Sequence, residues 1–409
     1  MNRKKSFKGL TAGIILGIVF LFSISPVLGA PPIKIGMITD LSGMAFTLAK
    51  PNVDGAQMAA DEVNKAGGIL GRKIEILVRD SALKTDLGIA AARELILDQK
   101  VNFIFGPVSS AVRLAISDLC KMYKVPLVDT IGGSRRLNED RGHDYFWQMS
   151  LSTRTEAGGQ AIGTAKVKGV KTICTISPDY EWGRMEYEGF IEPFKKLVPG
   201  VQVLGEFWPK LGEKDYTTYI TAIIAKKPDL LWSALWGGDS IGFVKQAKPY
   251  GLFEKMKFSG SSELGGMIAL GKEGVEGTYG WDRAPFYAIQ SPKIKPFIEA
   301  WRAKTGRWPE GWAILGYDGI LTVKHGIEKA KKVDGEAWVK AMKGETVQLL
   351  HGKVKFRDFD NLSNSPVYFG RNVFVPEYPF VIMKPVDIID TEPMFLPVAE
   401  VKKMREAVK

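Results

Sequence analysis

Strands and helices alternate regularly between Ile33 and Ser134, and this alternation constrains the fold more than any other feature of the chain. Four short apolar runs carry the strand signal and are separated by segments with helical spacing of apolar residues: IKIGMITD, KIEILVRD, VNFIFGPV and VPLVDT. Such alternation is typical of a parallel sheet with crossover helices on both faces. Ligands of these sheets bind at the carboxyl ends of the strands. The loops TDLSG, GPVSS and DTIGGS at those ends are therefore the first candidates for a binding site.

A second alternating series of similar size begins at Tyr145. Its strand signals are FWQMS, VKTICTIS, VQVLGEFW, PDLLWSALW and MKFSG, and its strand-end loops are PDYEWG, WGGDS and SSELGG. The segment VEGTYGWDRAPF then indicates a strand crossing toward the first unit, and helical patterns follow at residues 292–305 and 312–331. The chain ends in short strands and a polar tail. The sequence therefore predicts two doubly wound α/β units.

The amino terminus has the pattern of an export signal. The basic stretch MNRKKSFKGL precedes the apolar run TAGIILGIVFLFSI, which is too short and wrongly flanked for a stable membrane span. Cysteine is absent from the expected cleavage region, so a lipid anchor is not predicted. We expect residues 1–30 to be a signal peptide and the mature protein to be periplasmic or otherwise extracytoplasmic. The alternative is an uncleaved amino-terminal anchor.

Charge and cysteine content exclude some partners. The formal net charge is +11; four positive charges lie in the first ten residues, the remaining excess is spread along the chain, and no basic block with interleaved aromatic residues stands out. Nucleic acid is therefore not an expected partner. Cys120 lies in a predicted helix and Cys174 in a predicted strand of the other unit. We expect two buried, unpaired thiols, although a disulfide remains open in an oxidising compartment.

The chain lacks the motifs of common catalytic sites. Its three histidines, His143, His325 and His351, lie far apart, and no GxSxG, HExxH or paired CxxC motif occurs. Residues 266–272 match the start of a P-loop, but Glu273 stands where a serine or threonine would bind magnesium, so the match is coincidental. We therefore expect a binding protein rather than an enzyme, with no cofactor and no metal.

The loop GPVSS leads into a helix that Ser109 or Ser110 caps. The first N–H groups of such a helix are unpaired and its dipole is positive there, so its start can bind a carboxylate. The alternative is that the serines only cap the helix. Asp129, at the end of another strand, either meets a ligand cation or caps the loop behind it.

Several segments resemble the extracytoplasmic solute-binding proteins of branched-chain amino-acid type ABC transporters, the leucine-binding-protein-like family. They include KIGMITDLSG, DGAQMAADEVNKAGGILGRKIEILVRD, the Gly106–Pro107 turn, PDYEWGR and GVEGTYG, and the likeness covers nearly all of the mature chain in order. The resemblance implies a type I periplasmic binding protein fold, with two doubly wound α/β lobes joined by three crossover strands. The first lobe would comprise residues 31–149 and 278–353, and the second lobe residues 150–277 and 354–409.

The resemblance also implies a ligand site between the lobes. In relatives that bind amino acids, the ligand carboxylate is held where the Gly-Pro turn enters its helix and by the loop after the next strand. An aromatic residue in each of two loops and an acid that receives the ligand ammonium complete the site in the second lobe. The corresponding residues here are Val108, Ser109, Ser110, Gly132, Gly133, Trp182, Trp236 and Glu263.

The implied function is that of the substrate-binding component of an ABC importer. A monomer would capture an amino acid or another small carboxylate in the cleft and deliver it to a membrane permease. Trp182 and Trp236 stand where relatives have tyrosine, which favours a flat or bulky ligand such as an aromatic acid, unless both side chains only pack the lobe. An amide as the ligand, and a role as the ligand-sensing subunit of a receptor, are also open.

Overall fold

The computed structural model describes Met1 and residues 30–408. The predicted signal peptide falls on residues 1–30, and residues 2–29 lie outside the described part of the chain. None of the helices described in residues 30–408 combines the length and the apolar character that a membrane span requires.

The first unit is built on five parallel strands: β1 (Ile33–Thr39), β2 (Ile74–Asp80), β3 (Phe103–Phe105), β4 (Leu127–Asp129) and β5 (Phe146–Gln148). Their order in the sheet is β2-β1-β3-β4-β5. Three helices connect the first four strands: α1 (Phe46–Lys65), α2 (Thr85–Arg93) and α3 (Ser110–Tyr123). Strands β3, β4 and β5 are buried along their whole length, because helices cover both faces of a parallel sheet.

The second unit repeats this alternation. Its strands are β6 (Thr172–Ile176), β7 (Gln202–Phe207), β8 (Leu230–Ser233), β9 (Lys257–Ser261) and β10 (Tyr279–Asp282). Its helices are α4 (Thr153–Ala165), α5 (Glu181–Leu197), α6 (Thr217–Lys226), α7 (Gly237–Ala247), α8 (Leu252–Lys255) and α9 (Leu264–Leu270). The five strands pair in parallel, as the sequence predicts.

The remaining residues complete both units. They form α10 (Ile294–Thr305), α11 (Gly311–Ala330), α12 (Gly335–Met342), β11 (Thr346–Gln348), β12 (Lys353–Lys355), β13 (Val367–Phe374), β14 (Val381–Ile389) and α13 (Val398–Ala407). Strands β13 and β14 extend the second sheet in antiparallel pairing, and its order is β14-β13-β10-β9-β8-β6-β7. We call the unit around the five-stranded sheet the first lobe and the unit around the seven-stranded sheet the second lobe.

The chain crosses between the lobes three times, as expected, at residues 149–152, 283–285 and 364–366. The backbone of these crossings is irregular rather than extended strand. Two of them are fastened side by side, because the hydroxyls of Ser363 and Ser365 both donate to the carbonyl of Met149, at 2.9 and 2.8 Å. The three crossings therefore form a hinge, and these hydrogen bonds hold its first and third crossings together.

The lobe boundaries differ from those expected. Strand β10 pairs with β9 and β13, so the second lobe continues to Asp282 and does not end at residue 277. Residues 354–363 and α13 lie on the first lobe rather than on the second. Asn361 donates to the carbonyl of Phe146 at 2.9 Å, and Arg405 donates to the carbonyl of Asn138 at 2.9 Å. Backbone carbonyls of the first lobe thus anchor both segments, and such anchoring leaves no sequence signal.

The two cysteines are buried and unpaired, as expected. Cys120 lies on α3 in the first lobe and Cys174 on β6 in the second lobe. Burial raises the pKa of Cys120 to about 12 and that of Cys174 to about 11, so neither thiol is reactive.

Helices α1 and α11 pack at very short range on the first sheet, and glycines make this possible. A Cβ atom at Gly55 would lie 1.9 Å from the carbonyl oxygen of Ala313, and one at Gly316 would lie 2.0 Å from that of Asn52. The side chain of Asn52 also donates to the carbonyl of Trp312 at 3.1 Å. This contact fixes the start of α11, which carries Trp312 to the cleft.

The substitution Gly55→Ala should destabilise the protein, because the added methyl group forces two packed helices apart. We expect the free energy of unfolding to fall by roughly 1–3 kcal/mol, measured by urea denaturation. Gly266→Ala is the matched control, since Gly266 lies in α9 and a Cβ atom there would have its nearest neighbour 4.0 Å away. The control should be neutral or gain up to about 1 kcal/mol of helix propensity. Equal stability of the two variants would contradict the close contact.

Candidate functional site

A cavity lies between the two lobes, where the carboxyl ends of both sheets face each other. In this closed arrangement its cavity volume is about 20 Å³. The first lobe contributes Leu48, Val108, Ile131, Gly132 and Trp312 to its wall, and the second lobe contributes Tyr180, Trp182, Trp236, Glu263 and Trp281. Arg283, in the second crossing, completes the lining. We call this the interlobe cavity.

Aromatic rings form most of the wall. The Tyr180 and Trp182 rings stack at a centroid distance of 6.3 Å, and Trp236 meets Trp182 edge-on at 6.4 Å. These side chains stand at helix starts, since Tyr180 is the N-cap of α5 and Trp236 the N-cap of α7. Trp281 is 1% exposed, and its indole N–H is buried without an acceptor among the described residues. The wall offers flat apolar faces together with a donor that a ligand can use.

Arg283 supplies the positive charge of the interlobe cavity. Its Nε and Nη2 atoms each donate to the carboxylate of Glu156 at 2.6 Å, and its Nη1 donates to the carbonyl of Ile131 at 3.1 Å. The guanidinium carbon lies 4.7 Å from the centroid of the Trp312 ring. Burial opposes the charge, but the ion pair with Glu156 raises the pKa of Arg283. Three of the five guanidinium N–H groups thus have acceptors among the described residues, and no acceptor is recorded there for the other two.

The acids beside Arg283 hold their protons more tightly than usual. Burial raises the pKa of Glu263 to about 8, and the charge of Asp282 adds to the rise while Arg283 opposes it. Burial likewise raises the pKa of Asp282 to about 7. Glu263 is therefore mostly a neutral carboxylic acid at pH 7, which both donates and accepts hydrogen bonds.

The start of α3 is largely occupied by the protein itself. The Ser109 hydroxyl accepts from the N–H of Val112 at 3.5 Å and caps the helix. The N–H of Val108 donates to Asp40 at 3.2 Å, and the same buried carboxylate accepts from the N–H of Leu83 at 2.7 Å. The serines thus serve as helix cap and buried packing, and only Val108 of this segment reaches the cavity wall.

Asp129 caps the loop behind it, which is one of the two roles that the sequence allows. Its carboxylate accepts from the N–H groups of Ile131 and Gly132, at 3.3 and 2.9 Å. It also lies 3.2 Å from the guanidinium of Arg113, and both side chains are fully buried. A Cβ atom at Gly132 would lie 1.6 Å from that guanidinium, so only glycine fits there.

Of the nine residues predicted to bind ligand, five line the interlobe cavity: Val108, Gly132, Trp182, Trp236 and Glu263. Their contact with a ligand remains a prediction. Four lie behind the wall: Ser109, Ser110, Asp129 and Gly133. Gly133 packs against the backbone of the first crossing instead, where a Cβ atom on it would lie 2.4 Å from the carbonyl oxygen of Leu151.

Sequence reasoning misses several wall residues, above all Arg283, Tyr180 and Trp312. The sequence assigns both Trp281 and Trp147 to the core or the hinge. Trp147 does pack in the core, where its ring contacts that of Trp338 at a centroid distance of 5.0 Å. Arg283 had one available signal, since a charged residue follows directly on a predicted strand. Trp312 had none, because only the packing of α11 on α1 turns it toward the cleft.

Other candidate features stay structural. Residues 266–270 of the P-loop-like segment lie within α9, and residues 271–273 form a helical turn, so no phosphate-binding loop exists there. In residues 30–408, no group of histidine, cysteine and acidic side chains has the arrangement of a metal site.

Comparison with known proteins places the fold. The sequence profile of a family described as periplasmic binding protein matches residues 32–373. A Leu/Ile/Val-binding protein of Rhizobium johnstonii is 26% identical over 365 residues, which cover 88% of this chain and 95% of that protein. A periplasmic binding protein from Burkholderia mallei superimposes with a TM-score of 0.81 at 22% identity, over 90% of this chain and 97% of that one. A solute binding protein of an ABC transporter from Rhodopseudomonas palustris, solved with 3,4-dihydroxybenzoic acid, has a TM-score of 0.79 at 24% identity, over 89% and 99% of the two chains.

The substitution Asp129→Asn should destabilise the first lobe strongly. It leaves the buried guanidinium of Arg113 without a counter-charge and replaces one acceptor oxygen by a donor, so we expect a loss of about 3–5 kcal/mol in urea denaturation. The control Asp118→Asn removes the exposed partner of Arg141, at 2.8 Å, and should cost less than about 1 kcal/mol. A loss at Asp129 no larger than at Asp118 would refute the structural role.

Proposed function

Because this chain belongs to the periplasmic binding protein family, we propose that it is the substrate-binding component of an ABC importer. It captures a small carboxylate-bearing solute in the interlobe cavity and delivers it to a membrane permease. The observation that carries the proposal is Arg283, a buried cation with unused N–H groups among aromatic rings from both lobes. Members of the family bind solutes rather than catalyse reactions. The protein is exported by its amino-terminal segment and acts as a monomer.

Capture needs no chemical step. In the closed arrangement, Val108 and Trp312 of the first lobe face Trp182 and Trp236 of the second lobe across the cavity. A ligand between them contacts both lobes at once, whereas in an opened cleft it contacts only one. Ligand therefore stabilises the closed state by its differential affinity for the two states. The closed form is what the permease recognises.

An aromatic monocarboxylate fits the wall best. The two unused N–H groups of Arg283 suit a carboxylate, and stacked and edge-on rings suit a flat apolar body. Glu263, as a neutral acid at pH 7, does not repel the ligand anion and can donate to it or to a ring hydroxyl. The Rhodopseudomonas palustris relative solved with 3,4-dihydroxybenzoic acid supports this ligand class.

An amino acid is the second candidate, and Glu263 is the observation that favours it. Its carboxyl group lies on the cavity wall, where an ammonium group would stabilise the ionised form. The Rhizobium johnstonii relative, named a Leu/Ile/Val-binding protein, supports this class. An aromatic carboxylate thus binds best when Glu263 is neutral, whereas an amino acid binds best when Glu263 is ionised.

Thermal unfolding of the protein with a panel of ligands should identify the class. After denaturation and refolding to remove carried ligand, benzoate, 4-hydroxybenzoate or 3,4-dihydroxybenzoate should raise the melting temperature, since ligand at a hundred times its Kd adds about 2.7 kcal/mol. Leucine, valine, succinate and benzamide complete the panel. The variant Arg283→Lys should lower affinity about tenfold or more, because lysine cannot make the forked contact.

The control for this variant is Arg184→Lys. Arg184 forms an exposed ion pair with Asp179 at 2.7 Å, outside the interlobe cavity, so the substitution should leave the ligand-induced shift unchanged. Absence of a shift with every aromatic and amino acid in the panel would reject the proposed substrate classes. Equal affinity of Arg283→Lys and the unmodified protein would reject Arg283 as the carboxylate contact.

The pH dependence of binding separates the two candidates. The pKa of Glu263 is raised to about 8, so its carboxyl group is neutral below pH 8 and charged above it. Affinity for an aromatic carboxylate should therefore fall above pH 8, by at most about tenfold per pH unit, because the ionised acid repels the ligand. Affinity for an amino acid should rise over the same interval. Isothermal titration calorimetry between pH 6 and 9 measures both.

Glu263→Gln is the control, since glutamine keeps the shape of the side chain and cannot ionise. It should abolish the change in affinity above pH 8 for either ligand. The titration of Asp282 near pH 7 and the ion pair between Arg283 and Glu156 are present in both the variant and the unmodified protein. An unchanged pH profile in Glu263→Gln would show that Glu263 does not face the ligand.

A further inference from the structure

A carboxylate of the second lobe is inserted into the first lobe in the closed structure. Glu181, the first residue of α5, accepts a hydrogen bond from the Ser134 hydroxyl at 2.8 Å. Its other oxygen, Oε2, is buried and has no donor among the described residues. Ser134 belongs to the loop after β4 in the first lobe, so this bond exists only while the cleft is closed.

The surroundings of Glu181 form an anion site. Ser110 at the start of α3 is fully buried, and so is Arg113, whose Nε and Nη1 atoms lack acceptors among the described residues. Burial raises the pKa of Glu181, while the hydrogen bond from Ser134 and the charges of Arg113 and Arg136 oppose the rise. The Ser134 hydroxyl thus binds this carboxylate directly, and the charges of Arg113 and Arg136 act on it at longer range.

This position coincides with the carboxylate site that the family resemblance implied for a ligand, at Ser110 and the loop after β4. Here the protein supplies the carboxylate itself. The ligand-facing side of the loop is formed by Ile131 and Gly132, which line the interlobe cavity, whereas Ser110 and Ser134 are not part of the lining. The remaining cation on the wall is Arg283.

We propose that Glu181 is an internal anion that closes the cleft and sets its specificity. It bridges the lobes by accepting a hydrogen bond from Ser134 beside the start of α3, and it thereby excludes a ligand carboxylate from that position and directs it to Arg283. The closing role depends on the lobe contact alone. The role in specificity rests on the proposed function, because it assumes that the solute carries a carboxylate and that this carboxylate binds Arg283.

A neighbouring ion pair provides the matched control. Glu188, seven residues further along α5, accepts from Arg135 of the first lobe at 2.5 Å, but its side chain is 46% exposed. A pair of this kind contributes little, because water screens it and two long side chains must be ordered. The variants Glu181→Ala and Glu188→Ala therefore compare a buried and an exposed bridge on the same helix and across the same cleft.

The test is chemical rescue in the full-length protein. Spin labels on the two lobes report the fraction of closed molecules without ligand, and calorimetry reports affinity for the ligand that the panel identifies. Glu181→Ala should lower the closed fraction and weaken affinity about tenfold, the usual effect of losing a hydrogen bond to a charged group. Sodium acetate should restore both quantities by filling the vacated site, and equal ionic strength of sodium chloride should not. Glu188→Ala should change affinity by less than about threefold.

The specificity role has its own readout. A dicarboxylate such as terephthalate should bind Glu181→Ala better than the unmodified protein, because its second carboxylate can enter the site that Glu181 leaves. If Glu181→Ala fails to fold, Glu181→Gln, which keeps the volume but not the charge, serves in its place and should weaken closure without acetate rescue.

An unchanged closed fraction in Glu181→Ala would overturn the closing role, as would a loss that acetate does not restore. An unchanged preference for dicarboxylates would overturn the role in specificity. The closed fraction is measured without ligand, so failure of the proposed substrate class leaves the test of closure intact.

Discussion

The guanidinium group of Arg283 is the point on which both lobes and the cavity between them depend. It stands in a crossing of the hinge, makes a forked ion pair with Glu156 of the second lobe, donates to Ile131 of the first lobe and lies over the ring of Trp312. Leaving a fully buried guanidinium without its carboxylate lowers the stability of a protein strongly, whereas losing one hydrogen bond to a carbonyl lowers it only modestly. Arg283 therefore stays with Glu156 when the lobes separate, and closure adds the contacts with Ile131 and Trp312.

The ion pair is held in place by a chain of buried polar groups in the second lobe. Trp232 donates to the Gln160 side chain at 3.0 Å, and Gln160 donates to Glu186 at 3.3 Å. Burial raises the pKa of Glu186 well above its usual value, and the nearby charge of Glu156 adds to this. The carboxyl groups of Glu186 and Glu156 thus lie close together, and that of Glu156 binds Arg283. These hydrogen bonds connect Trp232 through Gln160 to the acid beside Glu156, and in this way they support the ion pair.

Sequence patterns predict the parts of this structure that depend on local order. Alternating strands and helices indicate both parallel sheets, and the strand-end rule leads to the loops that form much of the cavity wall. The family resemblance then selects Val108, Gly132, Trp182, Trp236 and Glu263 within those loops. Local patterns do not predict the first turns of α1, because Pro51 lies inside the helix, where proline favours a loop. They also indicate a polar tail where α13 forms, since its anchor is Arg405 bonding to backbone carbonyls of the first lobe rather than an apolar face. Trp312 reaches the cavity only through packing between distant segments, which no local pattern encodes.

The chemistry of the cleft follows from the cost of burying charge. Glu263 and Asp282 crowd around a single guanidinium that Glu156 already neutralises, so the remaining acids keep their protons at or near neutral pH. A wall rich in acidic residues is in this way compatible with an anionic ligand, because protonated carboxyl groups donate hydrogen bonds and carry no repelling charge. Glu181 has different surroundings: burial raises its pKa as well, but the hydrogen bond from Ser134 and the charges of Arg113 and Arg136 oppose the rise at the lobe contact. The environment of each acid, rather than its residue type, thus decides whether it holds the lobes together or leaves room for the ligand.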